Sequence, residues 1–311
     1  MPADPITPRA QSTAPPQISE PMGWFLLAMA PLFWAGNIIV ARAVHADLAP
    51  AGLSFWRWLI ACLIVLAVVF PYLKGQWGPM RRHWGYILMM GGLGVGFFPV
   101  LLYHGIKGST ALNASMIQAL CPLLIPFMAW GLGGARVSLA NGIGILVSMA
   151  GVAFLVSKGD PTALTAGAMY PGDIWLAAAM LIWSLYSALV RRRPADLSQT
   201  AFLVSTMAAG AVITLPLYLY ETAFIRPMPT DWASMAALAY IVIGPSIAAY
   251  YCFNRGMERI GPARGGLAMH FVPLFGAALA VLVLGEPLRW YHAAGAALIF
   301  AGVVVASWRR A

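Results

Sequence analysis

Two tryptophans, Trp34 and Trp183, stand 149 residues apart, and each is followed three residues later by a polar tip, Asn37 in one case and Tyr186 in the other. A spacing of three keeps each pair on one helix face. An indole beside an oriented hydrogen-bonding group suits recognition of a small molecule with an apolar or aromatic body. Tryptophan also anchors helices at the membrane surface, but both residues lie about eleven positions inside apolar segments, away from where such anchors sit. Phe98, Tyr103, Tyr250 and Asn254 add aromatic and amide groups in other segments, with Asn113, Ser115 and Gln118 close together in a further one. Each also has a plainer reading as a polar or small residue binding one helix to another.

Ionisable groups inside apolar segments are few. Arg57 lies about 10 Å along its segment at 1.5 Å per residue. It could hold a substrate carboxylate, or its long stem could snorkel to the surface. His270 sits mid-segment, three residues before Pro273, where it could bond a substrate, carry a proton, or be satisfied by a neighbouring helix. The ten carboxylates fall in tails, loops or the end turns of segments. A charge near a bilayer centre costs several kcal/mol and is seldom kept without use. With no acid near a segment centre, uncoupled facilitation or exchange is expected, subject to His270.

Catalysis is poorly served. There are no paired carboxylates, no His–Glu metal-ligand spacing and no glycine-rich phosphate loop, so an enzyme acting on lipid-linked phosphates is the weaker alternative. The run Arg191-Arg192-Arg193 could bind phosphate but reads better as a charge stop at a membrane face. No cofactor or metal is expected, and the widely spaced Cys62, Cys121 and Cys252 read as small buried residues. Nucleic acid is not an expected partner, because the basic residues form no stripe with interleaved aromatics. A channel would need rings of charge or a carbonyl filter, and neither is evident.

The elements that must position these groups follow from composition. Of 311 residues, 61% are hydrophobic and 9% charged, against roughly 25% charged in soluble domains. Ten apolar segments can be marked: Gly23 to Val44, Pro50 to Leu73, Trp84 to Ile106, Ser109 to Gly131, Val137 to Ser157, Pro171 to Val190, Ser198 to Tyr220, Asp231 to Arg255, Gly261 to Leu284, and Trp290 to Trp308. None alternates with period two, so the fold class is all-α, polytopic and membrane-embedded, not a barrel. Residues 1–22 read as a disordered tail without the apolar core of a secretory signal, 158–170 as a polar linker, and 309–311 as a basic tail. With the amino terminus inside, thirteen basic residues fall on inner segments and five on outer ones. That bias predicts both termini in the cytoplasm.

Residues 23–157 and 171–308 repeat one another. An offset of 151 places Pro122-Leu123 on Pro273-Leu274, Gly134 on Gly285, Gly144 on Gly295, and Tyr103 on Asn254. Five segments per unit force the second copy to enter the membrane from the other side, so ten transmembrane helices in two inverted five-helix repeats are expected. Pro122 and Pro273 interrupt equivalent segments and are candidate gating points, since each removes a helix hydrogen bond.

The segment starting Pro31-Leu32-Phe33-Trp34-Ala35-Gly36-Asn37, Pro50 with Phe55-Trp56-Arg57, the paired Pro-Leu motifs, and Leu284-Gly285-Glu286-Pro287-Leu288 resemble EamA-type permeases of the drug/metabolite transporter superfamily. The resemblance implies export of small metabolites by alternating access in a bacterial inner membrane. It also implies a central cavity ringed by spans one, three, four, six, eight and nine. Aromatic and neutral amino acids are the expected cargo, with nucleotide sugars as the alternative carried by relatives. Ten helices are enough to enclose a path, so a monomer is expected to function. Glu286 has Ala135 as its counterpart, so any role of that carboxylate belongs to one half.

Overall fold

A computed structural model of the chain describes residues 18–47, 49–134, 136–160, 162, 170–261 and 266–307. The expected amino-terminal tail up to residue 17, most of the linker and the last basic residues lie outside the described residues. Those described are helical, without a strand. Eight helices are long and apolar enough to cross a membrane: α1 (Glu20–Ala43), α2 (Pro50–Leu73), α3 (Trp84–Lys107), α4 (Ala111–Gly131), α5 (Leu139–Val156), α6 (Pro171–Val190), α7 (Gln199–Phe224) and α8 (Trp232–Ile260). Two shorter apolar helices follow, α9 (Ala268–Leu284) and α10 (Trp290–Val305).

Local chemistry sets the boundaries. Ser19, Thr110, Ser138, Ser198 and Asp231 each accept a hydrogen bond from the backbone three residues ahead, which satisfies an otherwise orphaned N–H at the start of α1, α4, α5, α7 and α8. Asp231 stands just outside α8, and hydrogen bonds from Ser234, side chain first, hold its carboxyl below the usual range. Pro50 and Pro171 open α2 and α6, where a missing N–H costs nothing. Gly261, at φ +87°, ends α8 in a conformation that side chains resist. The sequence places α8's end five residues too early, at Arg255. It also misses the short surface helix Trp77–Arg82 between α2 and α3.

The two halves do not sit side by side as separate bundles. The principal pairs take one helix from each half, among them α1 with α8, α3 with α6, α2 with α7, α4 with α9, and α5 with α10. All five pairs run antiparallel. Gly52, at the start of α2, donates to Glu221 near the end of α7 (2.8 Å), whereas Cys62 farther along α2 reaches the Val204 carbonyl early in α7 (3.8 Å). Glu286, just past α9, meets the start of α4, and Gly276 inside α9 packs on Ser115 one turn into α4. Three of the pairs thus join a helix to its own counterpart in the other half, pointing the opposite way.

Small residues bring these pairs into backbone contact, the usual means of helix association where no water drives it. In α5 and α10, Gly151 lies on Gly295 and Ile299, Gly302 lies on Gly144 and Ser148, and the Ser148 hydroxyl donates to the Ile299 carbonyl at 2.9 Å. Large apolar side chains such as Leu63, Val68, Leu146 and Leu282 point outward instead. Gly151→Leu should lower the melting temperature of the detergent-purified protein, by overpacking worth about 1–3 kcal/mol. Gly142→Leu, which meets open space, should leave it unchanged; equal melting of the two variants would show that this seam does not hold the helices together.

Candidate functional site

Two of the crossing helices depart from α geometry at matching places. In α3, Gly91–Phe97 winds as a π-turn, and in α8, Gly244–Ala248 does the same. A π-turn takes an extra residue into the turn and leaves carbonyls short of their ordinary partners. In α8 the cause is visible. Pro245 has no N–H, so the Ile241 carbonyl loses its normal donor. The Ser246 hydroxyl takes over, donating to Ile241 at 2.7 Å, and the Trp34 indole N–H donates to the Pro245 carbonyl at 3.2 Å.

Ser246 is also the first link in a buried polar network. The Arg57 Nε donates to Ser246 Oγ at 2.7 Å, and Nη1 donates to the Tyr103 hydroxyl at 2.8 Å. That hydroxyl donates its own hydrogen bond to Asn37 Oδ1 at 3.0 Å. Arg57 and Asn37 are each 5% exposed, Ser246 1% and Tyr103 0%, so the guanidinium does not snorkel to the surface. Four helices, α1, α2, α3 and α8, supply the network. Its central residue comes from α2, a span that the resemblance leaves outside the cavity ring.

Aromatic clusters flank it. Trp34 meets Tyr250 edge-on at 5.8 Å between ring centroids and Phe253 at 5.5 Å, across the α1–α8 pair. Trp183 meets Phe98 at 4.6 Å across the α3–α6 pair and Tyr186 of its own helix at 5.1 Å. The Tyr186 ring lies over Gly94 of the π-turn, where a Cβ would collide with it. Each cluster is therefore docked on the π-turn of a partner helix, once per half. The aromatic contacts themselves are worth about 0.5–1.5 kcal/mol per pair beyond burial.

Other expected site residues fall elsewhere. Ser115 is fully buried, donates back to the Ala111 carbonyl of its own helix at 2.7 Å and packs on Gly276. Asn254, the positional equivalent of Tyr103, is exposed. Gln118 and His270 are half-buried in 3₁₀ turns, Gln118–Leu120 and Gly266–His270, directly ahead of the helical stretches that carry Pro122 and Pro273. The two prolines thus mark matching breaks in α4 and α9. Beside Pro273 is a small apolar hollow of about 60 Å³, walled by Met116, Ala119, Leu274 and Ala277 among others.

Three carboxylates stand at helix ends, as the sequence reading has them, but they are tied into the structure in ways the sequence does not disclose. Glu286 accepts from the Ala111 and Leu112 N–H groups at 2.8 and 2.9 Å, capping α4, and lies 3.6 Å from Arg42 Nε. Glu221 caps α2 through Gly52. Asp173, 2% exposed, accepts from Asn113 Nδ2 at 3.1 Å and from the Ser109 hydroxyl. Asn113 therefore holds the junction of α4 with α6 instead of joining the Arg57 network. A carboxylate in the first turn after Pro171 was the available signal for Asp173, since a helix start favours negative charge. Among the described residues, no three His, Cys, Asp or Glu side chains gather as a metal site.

The model of the EamA-like transporter family matches this chain twice, over residues 21–157 and 170–308. The chain belongs to that family. It is a multi-pass membrane protein whose two matched stretches are the two halves that cross as described. An uncharacterized transporter of Archaeoglobus fulgidus is 26% identical, with 89% of this chain and 94% of that protein covered. The aromatic amino acid exporter YddG of Ancylobacter novellus is 28% identical over 73% of this chain and 77% of its own length. A probable terminal-alkyne amino-acid exporter of Streptantibioticus cattleyicolor is 25% identical over 91% and 92%. Sequence reasoning about this EamA chain missed Ser246 and both π-turns; Gly244-Pro245 was the local signal.

Tyr103→Phe keeps the ring and removes the hydroxyl that links Arg57 to Asn37. Leaving two buried polar groups unserved should destabilise the protein by about 1–3 kcal/mol each at most, seen as a lower thermal midpoint in detergent. An unchanged midpoint would mean that the network contributes nothing to stability.

Proposed function

We propose that this chain exports aromatic or other neutral amino acids by alternating access, as ten transmembrane helices in two inverted five-helix units. Both termini lie in the cytoplasm, the membrane is a bacterial inner membrane, and a single chain forms the path. The observation that carries this reading is the mirrored arrangement at the centre: one aromatic cluster per half, each docked on a π-turn of a helix from the other half. Such a pair of matched surfaces offers an apolar cargo a similar lining in two states, while the halves rock between them. Pro122 and Pro273, at the breaks in α4 and α9, are the proposed flexing points. Trp34, Asn37, Phe98, Trp183, Tyr186 and Tyr250 are the proposed cargo contacts, with Gln118, Asn254 and His270 toward its margins.

The amino-acid substrate is also what the names of the YddG and terminal-alkyne relatives point to. A nucleotide sugar would need several cations in the path, and Arg57 is the one Lys or Arg buried among the described residues. Enzymatic action on lipid-linked phosphates is not favoured, because relatives bear transporter names and no acid–base pair faces the network. Purified protein in liposomes should move labelled phenylalanine, tryptophan, methionine or threonine. Trp34→Ala and Trp183→Ala should each raise the half-saturating concentration for tryptophan at least tenfold. Flux of a sugar phosphate without any amino-acid flux is the result that sinks the proposal.

Transport is proposed to be uncoupled. The described carboxylates near the helices are engaged at helix ends, by Ala111, Leu112, Gly52, Asn113 and Ser109, and none stands mid-span. An imposed pH gradient should therefore leave amino-acid flux unchanged in the same vesicles. A strong gradient dependence lost in His270→Ala or Asp173→Asn would overturn this.

A further inference from the structure

Arg57 is a buried cation that lacks an anion. Among the described residues no carboxylate lies within ion-pair distance of it; the pairs formed elsewhere use Arg42, Arg82, His83, Arg226 and Arg255. Its two side-chain acceptors, Ser246 and Tyr103, are neutral hydroxyls. Each hydroxyl donates its own hydrogen bond to another neutral oxygen, Ser246 to the Ile241 carbonyl and Tyr103 to Asn37. The network orients the guanidinium and spreads its charge, but contains nothing that cancels it. Removing a cation from water costs several kcal/mol unless an anion repays it.

A second observation points the same way. Ser54 lies three residues before Arg57 and four before Trp58, spacings that put both on the face of α2 around Ser54. Ser54 is 0% and Trp58 4% exposed, yet the Ser54 hydroxyl and the Trp58 indole nitrogen have no hydrogen-bond partner among the described residues. The Arg57 guanidinium carbon lies 4.6 Å from the Trp58 ring centroid. An uncancelled cation therefore stacks on one buried unpartnered donor, Trp58, and lies one helical turn along α2 from another, Ser54. A carboxylate accepts such donors with both oxygens, and a guanidinium fork matches its plane.

The other half has no copy of this arrangement. The 151 offset puts Ala208 opposite Arg57, Val95 opposite Ser246 and Asn254 opposite Tyr103. The aromatic clusters are mirrored, but the charged network is not. A cargo held by it has one end distinguished from the other.

We infer that Arg57, with Ser54 and Trp58, binds the carboxylate of the transported molecule, so that the cargo class is carboxylate-bearing, with the apolar body lying toward the aromatic clusters. This rests on the proposed amino-acid transport and specifies the group that transport recognises. Binding needs no covalent step: the carboxylate replaces one of the hydroxyl acceptors on Arg57 and supplies the missing charge. Aromatic amines and amino-acid amides, with the same ring but no carboxylate, should be rejected.

The test uses the full chain in liposomes and labelled L-phenylalanine. For the wild type, excess unlabelled L-phenylalanine and 3-phenylpropionate should compete, whereas L-phenylalaninamide and phenethylamine should compete at least tenfold more weakly. Arg57→Gln should cut phenylalanine flux at least tenfold, and Arg57→Lys, which keeps the charge but loses the fork, should retain an intermediate rate. Ser54→Ala should raise the half-saturating concentration severalfold. Competition by the amide equal to that by phenylalanine would overturn the carboxylate assignment and leave amino-acid transport standing. So would full flux in Arg57→Gln. Absence of any amino-acid flux in the wild type would remove both readings. If Arg57→Gln does not fold, the wild-type competition series decides alone.

Discussion

A proline that cannot donate a hydrogen bond organises the centre of this protein. Within an apolar surrounding, an abandoned backbone carbonyl must be served by another donor, since no water replaces the lost bond. Pro245 leaves the Ile241 carbonyl without its usual N–H, and α8 answers with a π-turn and the Ser246 hydroxyl. Once Ser246 is committed as a donor to Ile241, its lone pairs are free to accept from Arg57. The Pro245 carbonyl, also displaced by the π-turn, receives the Trp34 indole. One missing N–H thus fixes both the guanidinium and the first aromatic cluster.

The crossing of the halves gives that local event its reach. Because α1 pairs with α8 and α3 with α6, a distortion in α8 is felt by a helix of the first half, and a distortion in α3 by a helix of the second. The glycine-rich π-turn of α3 plays the matching part, with Gly94 leaving room for the Tyr186 ring. Equivalent helices α2 and α7, α4 and α9, and α5 and α10 meet directly, the last two pairs through small residues. Shared backbone contact of this kind joins the halves where no water drives the association.

Much of the architecture is legible in the sequence, because apolar length and the 151-residue echo are long-range averages over many residues. Eight of the ten segments correspond to helices long enough to cross a membrane and two to shorter apolar helices, and Trp34 and Trp183 each meet an aromatic ring on a helix of the other half. The errors are local. The end of α8 depends on a single positive φ at Gly261, and the π-turns depend on how Pro245 and the four glycines of residues 91–97 are accommodated, not on composition. Side-chain direction is harder still. Arg57 could snorkel or turn inward from the same position, and only the placement of Tyr103 and Ser246 on other helices decides it. Ser115 and Asn113 carry the same polar signal as Asn37, yet they face Gly276 and Asp173, because α4 presents them to α9 and α6.

The two ends of the molecule are held by unlike means, which bears on how it could cycle. Glu286 grips the start of α4 through two backbone N–H groups while Arg42, itself bonded to the Ile106 carbonyl at 3.2 Å, draws the ends of α1 and α3 to the same point. The repeat partner of Glu286 is an alanine, whose side chain has no acceptor, so the equivalent position of the first half cannot supply the same clasp. A strictly symmetric pair of units would rest equally open to either side. Here the clasp belongs to one half alone, so the two ends of the molecule are not equivalent. The positions where the repeat fails, Arg57 and Glu286 among them, are therefore the places at which the two halves differ in charge.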